Sequence, residues 1–210
     1  MDTIQLPSKD DLQRGLESVI DQVLIRDRIA IANYVAKLRS QHPNVSNDTL
    51  AKKIVSRKSV KNGLVGALTG VGGYATMPVA IPTDLACSWK IQIAMALSVA
   101  CVYGHDNDTT DLKTDMYLIL GGNAAKEALK KLGIETSKAV TKKAVQKYIT
   151  KDVMTKITSV IGRKIITKAG EKSMTSFMKM VPLVGAPVGF AFDWTSTQLV
   201  GKVAIQYYRG

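Results

Sequence analysis

KNGLVGALTGVGGYATMPVAIPTD, residues 61–84, is the stretch on which the fold turns. Between Lys61 and Asp84 lie 22 residues without a charge, long enough to cross a bilayer as a helix. The run is interrupted by Gly63, Gly66, Gly70, Gly72, Gly73, Pro78 and Pro82. In lipid, that many bends would leave backbone groups unsatisfied, so the stretch is expected to be bent and buried within protein. From Thr83 to Tyr103 follows a helix that is apolar nearly all round, broken only by Asp84, Lys90 and Gln92. Such a helix belongs in the middle of a bundle.

Upstream, Ser8-Lys-Asp-Asp11 resembles a capping box with acids in its first turn. Leu12, Leu16, Val19, Ile20, Val23, Leu24, Ile31, Tyr34, Val35 and Leu38 then recur at helical spacing, and His42-Pro43 ends the helix. A second helical stretch starts near Ser46, with Leu50, Ile54 and Val55 on one side and Lys52, Lys53, Arg57 and Lys58 around them. Downstream, Val145, Tyr148, Ile149, Val153, Ile157, Val160, Ile161 and Ile165 mark the apolar face of a lysine-rich helical segment. The last thirty residues return to a charge-free, Gly/Pro-bent run, Met180–Phe192, with a helix expected from about Asp193 to Tyr208. The pattern predicts an all-α, single-domain helical bundle over residues 1–210. Amphipathic helices at 8–59 and a basic helical segment at 124–179 wrap central apolar helices at 61–104 and 181–208. The two central segments share an order of bent apolar run, Asp and apolar helix, which hints at a degenerate duplication.

Apolar residues are 46% and charged residues 22% of the chain, values at odds with a disordered or polytopic membrane protein. The formal charge of +12 points to an anionic partner. Most of it sits in residues 124–179, where fourteen Lys and Arg stand against Glu127, Glu135, Asp152 and Glu171, a net of +10. Lys142, Lys143, Lys147 and Lys151 are the first candidates for contact with an anionic surface. The plainer account of the same residues is the solvated face of a bundle helix. Aromatics are only 6%, and stacking residues are sparse along the basic segment, which argues against nucleic acid.

Asp84 and Asp193 are the carboxylates to watch, since each is expected to start an apolar helix after an uncharged run. An acid there caps the helix and complements its dipole. Alternatively, if the two segments pair in space, the acids face one another or meet Lys90 or Lys202, and one could do acid–base work. Gly70-Val-Gly-Gly-Tyr-Ala75 fits a dinucleotide fingerprint on paper, but no strand is expected before it and Asp84 follows too soon. Asp106-Asn-Asp108-Thr-Thr-Asp111 has the acids of a calcium loop without its Gly and Glu, and suits capping of a helix near Thr110. His42 and His105 stand apart from the two thiols and no HExxH, CxxC or GxSxG occurs, so no metal site and no cofactor is expected. His105 reads as a solvated loop residue. Cys87 and Cys101 lie fourteen positions apart in one helix, about 21 Å at ~1.5 Å per residue, so free buried thiols are expected.

Gly66-Ala-Leu-Thr-Gly-Val-Gly-Gly73, Pro78, Pro82-Thr-Asp84 and the helix closing with Ala100-Cys-Val-Tyr-Gly-His-Asp106 together resemble the EcsC family. Val181-Pro-Leu-Val-Gly-Ala-Pro-Val-Gly189 with Asp193 is similar to that family's closing motif. The resemblance implies a helical protein linked with transport or membrane-proximal processes, in a family without an agreed reaction.

The N-terminus lacks the basic start and apolar core of a secretory signal, Asp2 stands where myristoylation needs Gly, and the Tyr-Tyr-Arg-Gly end has no prenylation Cys. A cytoplasmic, peripherally membrane-associated location is therefore expected. The expected function is a non-enzymatic, membrane-proximal interaction protein whose lysine-rich face contacts anionic lipid or an acidic protein partner. Two alternatives remain open: a membrane-inserting, pore-forming or effector-type protein that uses the bent apolar hairpins, and an enzyme that uses Asp84 and Asp193.

Overall fold

Ser46 shows how local chemistry starts the main helix of the fold. Its hydroxyl accepts the Thr49 N–H at 3.2 Å and its carbonyl accepts the Leu50 N–H at 3.0 Å, the geometry of an N-cap. Arg39 closes the turn before it by donating to the Val45 carbonyl at 2.8 Å and to the Asn47 side chain. The structure, a computed structural model, describes residues 9–72, 83–105, 109–131, 142 and 182–209. Its helices are α1 (Lys9–Gln22), a π-helical turn (Val23–Asp27), α2 (Arg28–Gln41), α3 (Asn47–Gly72), α4 (Thr83–Tyr103), α5 (Thr109–Gly121), α6 (Asn123–Lys131) and α7 (Pro182–Arg209). There is no strand among the described residues, and the fold is an all-α single-domain bundle.

The N-terminal periodicity is borne out. Leu16, Ile20, Val23, Leu24, Ile31, Val35 and Leu38 are buried in one core, with Val19 and Tyr34 packed against it. The π turn lies in the middle of this long run and buries Val23 and Leu24, while Ile25 and Ile29 face outward.

Two expectations change. α3 runs without a break from Asn47 to Gly72, so the first part of the charge-free stretch continues the preceding helix rather than bending away from it. Likewise α7 is one helix of 28 residues, with Pro187 inside it. Proline there forfeits only one hydrogen bond, about a turn and a half from the helix start. The physical reason the glycines do not break these helices is their use in packing. α3 and α7 lie antiparallel: Val55 meets Gly201, Asn62 meets Thr197, Gly63 lies under the Phe190 ring, and Gly66 meets Gly189. Residues 73–82 and 173–181 lie outside the described residues, and with them the rest of the expected bends. The idea of a duplicated order of bend, Asp and helix fails at the C-terminal copy, because Asp193 is interior to α7.

α4 fills the position expected of a central helix. It packs on α3, α7, α1 and α2, and Ile93, Met95, Ala96, Leu97, Val99 and Ala100 are inaccessible to solvent. Leu85–Tyr103 is long and apolar enough to span a bilayer, yet 67% of that window is buried inside the protein, as suits a core helix. α4 ends at Gly104, whose φ of 76° lets its N–H reach the Cys101 carbonyl while the His105 N–H reaches that of Ala100. That pair of bonds is a Schellman closure, and it needs glycine.

Candidate functional site

α3 carries all its charges in its first fifteen residues. Lys52, Lys53, Arg57, Lys58 and Lys61 follow Asp48, the one acid of the helix, and Asn62–Gly72 carry no charge. Positions 57, 61, 64 and 68 recur at three or four residues and share one face of the helix. Arg57 and Lys61 are exposed on it, and Leu64 and Leu68 are 54% and 75% exposed. The antiparallel register sets the uncharged start of α7 beside the uncharged end of α3, and there Phe192 and Trp194 are 46% and 39% exposed. The pair thus has an apolar end with exposed large side chains, and a cationic collar one turn behind it. Lys58 is drawn inward, its ammonium 5.3 Å from the centre of the Tyr34 ring, and burial, with Lys61 nearby, lowers its pKa. Lys90 pairs with Asp27 at 3.2 Å.

Behind this face a polar layer fixes how α3, α4 and α7 meet. The Asn62 amide donates to Ser88 Oγ and to Thr197 Oγ1, both at 2.8 Å. Gln92 reaches Ser196 at 3.3 Å, and the hydroxyls of Ser196 and Thr197 donate to the Asp193 carbonyl at 3.1 and 2.7 Å. Buried amides and hydroxyls must be bonded to one another, so this layer specifies a single register for the three helices.

A second polar cluster lies in the core near the C-terminal ends of α4 and α7. Asp115 of α5, with a side chain 3% exposed, accepts from Tyr207 at 2.6 Å, from Tyr208 at 3.0 Å and from Lys142 Nζ at 2.9 Å. Burial raises the Asp115 carboxyl above the usual carboxylate range, while Tyr207, Lys142 and Tyr208 pull it down. The Tyr208 phenol is pushed well above its ordinary value by burial and then by the Asp115 charge. His105 stacks on Tyr208, ring centres 5.6 Å apart, with Nε2 3.2 Å from the Tyr208 carbonyl oxygen. Sequence reasoning missed this cluster. Its signal was there: Asp115 shares a helical face with Leu112, Met116 and Ile119, and a carboxylate on an apolar face needs partners.

Of the residues singled out in the sequence, Asp84 falls in the first turn of α4, where an N-terminal acid was expected. Asp193 does not start a helix but lies twelve residues into α7 as the chain is numbered, partly exposed, beside Gly66 of α3. Its capping role is therefore corrected: an interior residue has no free N–H groups of a helix start to satisfy. Lys142 is also corrected. Its side chain is 8% exposed and its ammonium is held by Asp115, so it faces the core rather than an outer surface. Lys143, Lys147 and Lys151 lie outside the described residues. The thiols are free, but Cys87 is exposed and Cys101 only half-buried. His105 is not a solvated loop residue; the stacking on Tyr208 holds it. Residues 106–108 lie outside the described residues, and α5 begins at Thr109. No group of three or more His, Cys, Asp or Glu side chains is placed to hold a metal among the described residues.

Comparison with known proteins gives one match. The model of the EcsC protein family aligns with residues 11–210, nearly the whole chain. No curated protein and no solved structure matches.

Proposed function

The chain belongs to the EcsC protein family, and from that premise we propose that it is a non-enzymatic, membrane-proximal protein that adsorbs reversibly to anionic bilayers. The observation that carries this reading is the outer face of α3, on which exposed Arg57 and Lys61 lead directly into exposed Leu64 and Leu68. The net charge of +12, most of it between residues 124 and 179, supplies further attraction to the same kind of surface. Each lysine or arginine near an anionic bilayer contributes about 1 kcal/mol, attenuated within a Debye length by salt. Four or five suitably placed cations then suffice for reversible attachment without a membrane span. In this reading Lys143, Lys147 and Lys151 remain surface contacts, and Lys142 does not.

Flotation with vesicles tests it. The protein is expected to rise with vesicles containing 30% phosphatidylserine at low salt, about tenfold less at 0.5 M salt, and not with neutral phosphatidylcholine. Equal recovery with neutral and anionic vesicles, or none with either, refutes the proposal.

A further inference from the structure

We infer that the uncharged end of the α3–α7 pair seats, still folded, in the headgroup–acyl boundary of an anionic bilayer, with Leu64, Leu68 and Trp194 as its apolar contacts and Lys61 and Arg57 at the phosphates. This rests on the reading above and adds which end of the molecule meets lipid and how deeply.

Three observations converge on that end. First, α3 from Asn62 and α7 up to Phe192 carry no charge, and the Gly63–Phe190 and Gly66–Gly189 contacts hold those two halves at the same level. The one charge at that level is Asp193, whose carboxylate lies beside Gly66 within the α3–α7 contact. Second, Leu64 and Leu68 are more than half exposed, and Trp194 is well exposed at the same end, whereas the other tryptophan, Trp89, is 4% exposed in the core. A tryptophan with one side wet and one side packed suits the interface between headgroups and chains. Third, the cations stand where such a seat needs them. Lys61 precedes Leu64 by three residues on the same face, and Arg57 precedes Lys61 by four. Helical side chains tilt toward the N-terminus, so both point from the apolar end back toward water, the direction in which long basic side chains snorkel to phosphate. That adjoining positive charge selects an anionic bilayer as the occupant. A neutral apolar groove on a partner protein would leave the collar without a counter-charge. The adsorbed element is a packed helix pair, so no part of the core has to open.

The two tryptophans make the test selective. Wild-type protein is mixed with anionic vesicles whose phosphatidylcholine carries bromine at the shallow 6,7 positions, and tryptophan emission is read beside flotation. Expected is a loss of about a third or more of the emission, which disappears in W194F, where only the sheltered Trp89 remains. Leu64→Asp with Leu68→Asp, both at exposed positions, is expected to keep its helical circular dichroism and thermal midpoint. Its vesicle partitioning should fall at least tenfold. Flotation without quenching of Trp194, or a folded double variant that floats like wild type, overturns the inference and leaves electrostatic adsorption standing. Absence of flotation overturns both. Sedimentation showing a lipid-free dimer that the double variant abolishes also overturns it, by assigning the face to a second copy of the chain.

Discussion

Gly66 of α3 and Gly189 of α7 meet backbone to backbone: a Cβ built on Gly66 would stand 2.5 Å from the Gly189 carbonyl oxygen, and one built on Gly189 would collide with the Gly66 carbonyl. Neither neighbour is the tip of a flexible side chain, so neither can step aside. Gly66, which opens the first Gly-rich motif, and Gly189, which closes the C-terminal one, are thus brought together at one helix crossing.

Gly66→Ala and Gly189→Ala should each destabilise the fold by about 1–3 kcal/mol, the usual scale of overpacking. Thermal unfolding followed by circular dichroism reads this as a fall of several degrees in midpoint. Because the two sites share one contact, the double variant should lose less than the sum of the single losses. An unchanged midpoint in both single variants would contradict the crossing.

Asp115 and Lys142 form a buried pair, so removing one partner leaves the other uncompensated. Asp115→Ala should cost about 3–5 kcal/mol by chemical denaturation, and Asp115→Ala combined with Lys142→Met considerably less. In Lys142→Met alone a lowering influence on the Asp115 carboxyl is gone, and burial dominates further. A carboxyl whose folded pKa lies above its unfolded value of 3.8 contributes stability present below that value and lost as pH rises through the folded pKa. The variant should therefore be more stable at pH 5 than at pH 7.5, relative to wild type measured at the same two points.

Asp48 predicts the opposite slope. It accepts from the Tyr103 hydroxyl at 2.6 Å and pairs with Arg209 at 2.9 Å, joining the start of α3 to the ends of α4 and α7. Those two hydrogen bonds hold its carboxyl below the ordinary value of 3.8. Stability from a depressed carboxyl is present above the unfolded pKa and disappears as pH falls through the folded one. Asp48→Asn should therefore be less stable than wild type at pH 7 and converge with it as pH falls below 4, so that its acid limb is flatter, as urea midpoints across that range will show. A variant that follows the wild-type acid limb unchanged would rule out this contribution.

The two thiols should differ in rate toward an aromatic disulfide reagent. Cys87 is exposed and Cys101 packs against the core, so native protein should show one fast and one slow thiol, with Cys87→Ser removing the fast phase. Two equal phases would mean that α4 is not seated as described.

How far the sequence could be read differs from element to element. Leu16 through Leu38 repeat every three or four residues, a pattern only a helix with one buried side satisfies, and those side chains are buried. Thr83–Tyr103 lacks a polar face, which places it centrally, and α4 is central. The apolar end and basic half of α3 are equally plain in its order of residues. By contrast, glycine and proline were read as bends because alone they weaken helices by about 1 kcal/mol or more. Gly66 and Gly189 instead admit a neighbouring backbone, a benefit that exists only once α7 lies against α3.

Composition and periodicity by themselves determined the helical class, the central place of α4 and the excess of positive charge, because those follow from each residue's relation to water and to neighbours three or four positions away. Only the tertiary structure decided that α3 and α7 are unbroken, that Asp193 lies inside a helix, and that Lys142 turns inward. Each of those outcomes depends on a partner far away in the chain, Gly189 for Gly66 and Asp115 for Lys142. A contact between distant residues leaves no local period to read, and the energy that selects it appears only when the helices pack.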